Sequence, residues 1–170
     1  MKSRKGMLAA ALLTVVLCIT GCGSPDKEGT SGEVSSGGGY SFTSGSTKIE
    51  MGKDASKIVE SLGDADDYFE SESCAFEGLD KVYSYPGFKL NTYPKDGKDY
   101  VLSVVFMDDT VSTKEGVSIG STKDEVTKAY GDASEESASK LVYEDGDTKM
   151  TIGLNGDSVS SLEISAVVEE

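Results

Sequence analysis

The chain has 170 residues, 30 Asp and Glu against 16 Lys and Arg, a net charge of −14, and neither His nor Trp. Without His, a Ser/His or Cys/His nucleophile pair and a His-ligated metal are excluded, leaving carboxylates, Tyr and Lys as acid or base. So acidic a chain is also a poor partner for nucleic acid, whose binding draws on Lys and Arg to neutralise phosphates.

Lys2, Arg4 and Lys5 precede an apolar run over 7–20. At 14 residues it is shorter than the roughly 20 needed to cross a hydrocarbon core. A positive start, a short apolar run and small residues at its end predict a secretory signal over 1–21, to be set aside from the fold. The run closes on Ile19, Thr20, Gly21 and Cys22. This resembles the lipobox of bacterial lipoproteins, in which Leu, Val or Ile, a small residue, and Gly or Ala precede Cys. The resemblance implies a diacylglycerol on the Cys22 sulfur and a mature chain held on the extracytoplasmic face of the cell membrane. Two acyl chains anchor stably at about 0.8 kcal/mol per buried CH₂, where one is marginal. Losing Lys2, Arg4 and Lys5 takes the net charge from −14 to −17 and removes the only Arg.

Residues 22–46 follow as the expected tether, rich in Gly, Ser and Thr, with Tyr40 and Phe42 docking at its end. The folded domain is expected over 47–170, long enough for one core and not for two.

Two stretches, 49–65 and 117–133, align without a gap at a spacing of 68: Gly52 with Gly120, Ile58 with Val126, Gly63 with Gly131, Asp64 and Ala65 with Asp132 and Ala133. Each predicts a short strand, a Gly turn, a helix of about nine residues and a Gly stop. Thr122 and Glu125 have the spacing of a capping box, and Asp54 can cap the first helix. Strands are expected near 68–76, 81–85, 88–93 and 100–106 after the first helix, and near 140–144, 148–154 and 158–165 after the second. Asp96-Gly97, Asp145-Gly146 and Asn155-Gly156 mark hairpin turns of type I′. Tyr85, Val101, Val104 and Phe106 align with Tyr143, Val159, Leu162 and Ile164 at a spacing of 58, so the first copy carries about ten extra residues, largely within 70–81.

The expected fold is therefore α+β, with two tandem repeats at about 47–112 and 113–166, each a short helix packed on antiparallel strands of one sheet. The pattern Ile49, Met51, Gly52, Ile58, Gly63 and its copy Val117, Ile119, Gly120, Val126, Gly131 resembles the repeats of the β-lactamase inhibitory protein fold and of the SmpA/OmlA outer-membrane-assembly lipoproteins. Both copies depart from those families in having Ala65 and Ala133 where Pro often follows the closing Gly. The resemblance implies a partner protein gripped by the open sheet face. It carries over no inhibitory residue, because no stretch matches one.

Strict alternation puts Leu102, Val104, Phe106, Phe88, Leu90, Met150, Ile152, Leu154, Leu162 and Ile164 toward the helices. The other face then carries Lys89, Asn91, Tyr93, Val101, Ser103, Val105, Lys149, Thr151 and Ser161 as the candidate partner-binding residues, with Val159 and Glu163 beside them. Tyr among small polar neighbours suits an interface centre, while a wet face is also normal for an antiparallel sheet. Cys74 is expected as a small buried hydrophobe in a strand, and with Cys18 removed it has no intradomain disulfide partner. The Asp-rich loops lack the spacing of a calcium loop, and Asp108 and Asp109, as strand neighbours, point to opposite faces. No metal, cofactor or catalytic residue is expected. The function expected is a lipid-anchored, extracytoplasmic protein-binding module. An envelope assembly lipoprotein is the alternative, a β-lactamase-inhibitor-like protein a weaker one, and a carboxylate hydrolase the weakest.

Overall fold

The computed structural model describes residues 38–168. The expected leader, the lipidated Cys22 and most of the expected tether lie outside them. Phe42 and Ile49 face each other across a hairpin of β1 (Ser41–Ser44) and β2 (Thr47–Glu50), and both are buried. The folded part therefore begins before 46, and Phe42 is a core residue: its ring lies 4.9 Å from Phe88 and 5.1 Å from Phe106.

Helix α1 (Ser56–Leu62) leads to β3 (Asp67–Glu72), β4 (Leu79–Tyr85), β5 (Phe88–Lys95) and β6 (Lys98–Phe106). Helix α2 (Lys123–Tyr130) leads to β7 (Glu135–Ser137), β8 (Lys140–Asp145), β9 (Thr148–Asn155) and β10 (Ser158–Ala166). The last eight strands form one sheet, antiparallel throughout, in the order β3-β4-β5-β6-β10-β9-β8-β7.

The expected α+β fold of two helix-on-sheet repeats is overturned. Strand makes up 50% of the described residues and helix 11%, so the chain is mostly β, one eight-stranded sheet beside a two-stranded one. The reason is size. Eight strands at about 4.8 Å span roughly 34 Å, whereas a helix of eight residues is about 12 Å long. Helix α1 buries none of its residues and α2 only Val126. Much of the layer over the sheet comes instead from Phe42, Ile49, Met51, Ala55 and Val117, which lie in the hairpin and the loops around the helices. The strand expected near 117–119 does not form; Val117 enters the core from a loop, its N–H donating to the Thr113 hydroxyl at 3.1 Å.

Local contacts nevertheless recur between the aligned stretches. The Gly52 N–H donates to the Val101 carbonyl and the Gly120 N–H to the Val159 carbonyl, both at 2.8 Å. The Tyr85 hydroxyl donates to the Gly63 carbonyl at 3.4 Å, and that of Tyr143 to the Gly131 carbonyl at 3.3 Å. Gly63 and Gly131 close their helices at φ 79° and 77°, a region that disfavours side chains.

Two bulges alter the faces. Asn91 pairs with Ser103 and Thr92 with Val101, so Leu102 is an extra residue in β6; Ser160 is extra in β10, between the pairs Val159–Leu154 and Ser161–Gly153. An extra residue reverses the alternation beyond it. Val101 and Val159, expected on the open face, therefore point into the core and are 0% and 2% exposed. Leu102, expected toward the helices, is only half-buried. Only Asp96-Gly97 has positive φ at both turn positions (52° and 73°), as type I′ requires. Asp145 and Asn155 instead end their strands, and the turns begin at Gly146 and Gly156, the Gly-first pattern of type II′.

Only α2 starts on a side-chain cap; the N-cap of α1 is Ala55, which has no capping side chain, and Asp54 before it bonds Ser56 instead. Thr122 and Glu125 form the reciprocal capping box. Asp54 accepts from the Ser56 hydroxyl at 2.6 Å and its N–H at 3.0 Å, and these bonds hold its carboxyl at about 2, below the ordinary 3.8. Because the folded value is the lower one, Asp54 contributes stability that is complete above about pH 4 and lost as pH falls toward 2. The stability difference between the wild type and Asp54→Ala is thus expected to be constant from neutral pH down to about pH 5 and to shrink below pH 4, measured by urea unfolding at each pH.

Candidate functional site: the open face of the sheet

One face of the sheet is packed against the hairpin, the helices and their loops. The opposite face is built by the odd-numbered positions of β5 and β9 and by β6 and β10 beyond their bulges. Cross-strand pairing lines these up in two rows. Lys89, Val105, Glu163 and Thr151 form one; Asn91, Ser103, Ser165 and Lys149 form the other. Ser161 stands beside Gly153 on the same face, and a Cβ at 153 would meet the Ser161 Oγ at 2.3 Å, so a side chain there would force the Ser161 hydroxyl to turn aside.

Of the nine residues expected here, Lys89, Asn91, Ser103, Val105, Lys149, Thr151, Ser161 and Tyr93 are on this face, and Val101 is not. Their exposure is uneven. Ser161 is exposed, Lys89, Asn91, Val105, Lys149 and Thr151 are half-buried, and Ser103 is buried, accepting from the Asn91 amide at 2.9 Å. Tyr93 is only 6% exposed, because Phe76 from the 73–78 loop packs 5.1 Å from its ring and Tyr100 lies 5.8 Å away.

Phe76 and Tyr93 also line a cavity of about 420 Å³ at one end of the face, with Lys95, Asp147, Val167 and Val168. Sequence alternation could not reveal it. Phe76 belongs to a loop, Asp147 to a turn, and Val167 and Val168 lie past the end of β10, held by the Val167 N–H on the Asp147 carbonyl at 2.8 Å. An aromatic wall with one cation and one carboxylate at the rim suits an amphipathic side chain of a partner.

Cys74 is exposed, not buried in a strand, because β3 stops at Glu72 and the chain leaves the sheet over 73–78. Asp108 lies past the end of β6 and turns its carboxylate onto the Thr110 N–H at 2.9 Å, a local turn cap that lowers its affinity for protons. Among the described residues, no three carboxylate or Cys groups are placed to hold a metal ion. A second cavity, of about 460 Å³, is lined by Tyr40, Tyr130, Glu115 and Asp145. There the Tyr130 hydroxyl donates to Glu115 at 2.7 Å, and burial pushes its phenol up, opposite to the direction a base requires. Compared with known protein families, with curated proteins and with solved structures, the chain finds no match.

Proposed function

We propose that the chain is a lipid-anchored, extracytoplasmic interaction module that presents the open sheet face to a partner protein. The observation that carries this reading is the pair of cross-sheet rows together with the Phe76–Tyr93 cavity at one end of the same face, a surface of short polar and half-buried apolar groups with an aromatic recess. The display on a membrane rests on Ile19, Thr20, Gly21 and Cys22 after a positively charged apolar leader. A mature charge of −17 favours a neutral or basic protein surface over phosphate-rich partners.

Photo-cross-linking on intact cells tests this. A photoreactive residue at Lys89 or Thr151 is expected to trap one protein that the same probe at the exposed Glu60 of α1 does not, and trapping is expected to disappear with Cys22→Ser. Capture that is equal from both faces, or absent from both, would remove the open face as the contact surface.

A further inference from the structure

The sheet is open at β3, and the face of β3 and β4 that looks toward α1 is only partly covered. Tyr68 and Tyr83 are cross-strand partners with ring centroids 5.0 Å apart. Together with Tyr85 they floor a cavity of about 410 Å³ whose rim is the end of α1 and the segment Gly63, Asp64 and Ala65. The Tyr68 hydroxyl donates to the Glu70 carboxylate. Three electron-rich rings with Asp64 at the rim and Glu70 beside them form an environment that attracts a cation through ring quadrupoles and charge together. Lys81, the cation of the neighbouring strand, is already engaged by Asp99 at 2.6 Å. Among the described residues, no ion pair involves Asp64 or Glu70.

The aligned second half lacks this arrangement. Tyr85 has Tyr143 as its counterpart, but Tyr68 and Tyr83 correspond to Glu136 and Leu141, which are likewise cross-strand partners. Glu136 there is occupied by Lys123 at 2.6 Å. Two of the three rings are thus particular to the first half.

Strand β3 adds the second feature. Among the described residues it is the last strand of the sheet on that side, all six of its residues are exposed, and it has no Pro to block pairing. Its side chains include Asp67, Glu70 and Glu72, and Phe69 is 60% exposed. A second copy pairing antiparallel through the middle of β3 would set Asp67 against Glu72, which like charges disfavour. A basic strand meets the opposite situation. We propose that β3 accepts an extended basic segment of a partner protein as a ninth strand, and that a lysine or arginine of that segment enters the pocket of Tyr68, Tyr83 and Tyr85. Backbone pairing then supplies affinity, and the pocket supplies the preference for a cation.

This site lies on the opposite face from the proposed contact surface and stands independently of it. The test is the anisotropy of a fluorescent, acetylated octapeptide alternating Lys and Val, titrated with the full chain in detergent. The expected result is saturable binding, weakened at least tenfold by Tyr68→Ala or Asp64→Asn, both at exposed positions, and absent for the Glu/Val peptide. Urea unfolding of the two variants shows whether they remain folded, and Tyr68→Phe, which keeps the ring, is expected to retain most of the binding. No binding of the Lys/Val peptide, or binding indifferent to Tyr68→Ala and Asp64→Asn, would overturn the proposal. So would competition by tetramethylammonium alone at the peptide's own concentration, which would mark a small-cation cage without a strand. Loss of binding on Lys89→Ala or Thr151→Ala would instead assign the peptide to the open face.

Discussion

Val101→Lys is expected to abolish cooperative folding, whereas Val105→Lys is expected to change stability by no more than about 1 kcal/mol. The two valines share a strand, and simple alternation places them on one face. In the structure Val101 is 0% exposed and pairs with Thr92 on the core side of the bulge, while Val105 stands half-buried on the open face between Lys89 and Glu163. A lysine at 101 would bring an ammonium into a core whose buried residues include no carboxylate, and the carboxylate of Asp99 on the same strand is already engaged by Lys81. An unpaired buried charge costs several kcal/mol, a large part of the 5–15 kcal/mol that holds a domain folded. Urea unfolding followed by circular dichroism checks both variants. If Val101→Lys unfolds at the same urea concentration as Val105→Lys, the bulge at Leu102 does not exist.

Phe42→Ala is expected to cost about 3–5 kcal/mol, the range for removing a buried aromatic ring. That corresponds to a fall in Tm of roughly 10 °C or more for a domain of this size. Phe42 is 2% exposed, between Phe88 and Phe106, and it comes from a stretch whose composition predicts an unstructured tether. Thr43→Ala, one residue further on and exposed, is expected to leave the Tm nearly unchanged. Calorimetry on the two variants separates the cases. Equal Tm values would return 41–46 to the tether and shorten the core by one ring.

What the sequence made legible follows from how strongly each element marks itself. Strands β5, β6, β9 and β10 carry runs of alternating burial, broken by a bulge in β6 and in β10, and their limits fall close to those expected. Helix α2 carries a capping box at one end and Gly131 at the other. By contrast β7 has three exposed residues, Glu135–Ser137, and no alternation to detect. Strand β1 offers a single large apolar residue within a Gly- and Ser-rich stretch. Fold class was misjudged because a repeat pattern reports which elements occur and not how much surface each covers. Two helices of two turns weigh equally with the strands in a motif, but not in a core. On the candidate face, the polar positions were correctly placed wherever alternation ran unbroken. It failed at Val101 and Val159 because a bulge adds a residue without any change of composition. Phe76 and Val167 were missed because contacts across a loop or a terminus leave no period in the sequence.

The two halves of the large sheet are sewn together by only four residue pairs, from Ser103–Ser165 to Phe106–Leu162, whereas β5 pairs with β6 and β9 with β10 over eight each. From this central pair the strands run outward in the same sequence on both sides, and β10 follows the other seven strands of this sheet along the chain. The midline seam therefore closes last as the chain emerges, after each half has had time to form its own hairpins. Contacts this distant in sequence form slowly. Until they do, β6 is a bare edge that any β10 can fill, its own or that of another molecule. Exchanging second halves between two chains, with 107–122 as the crossover, would rebuild every strand pair of the sheet, so this topology leaves a low-cost route to an intertwined dimer.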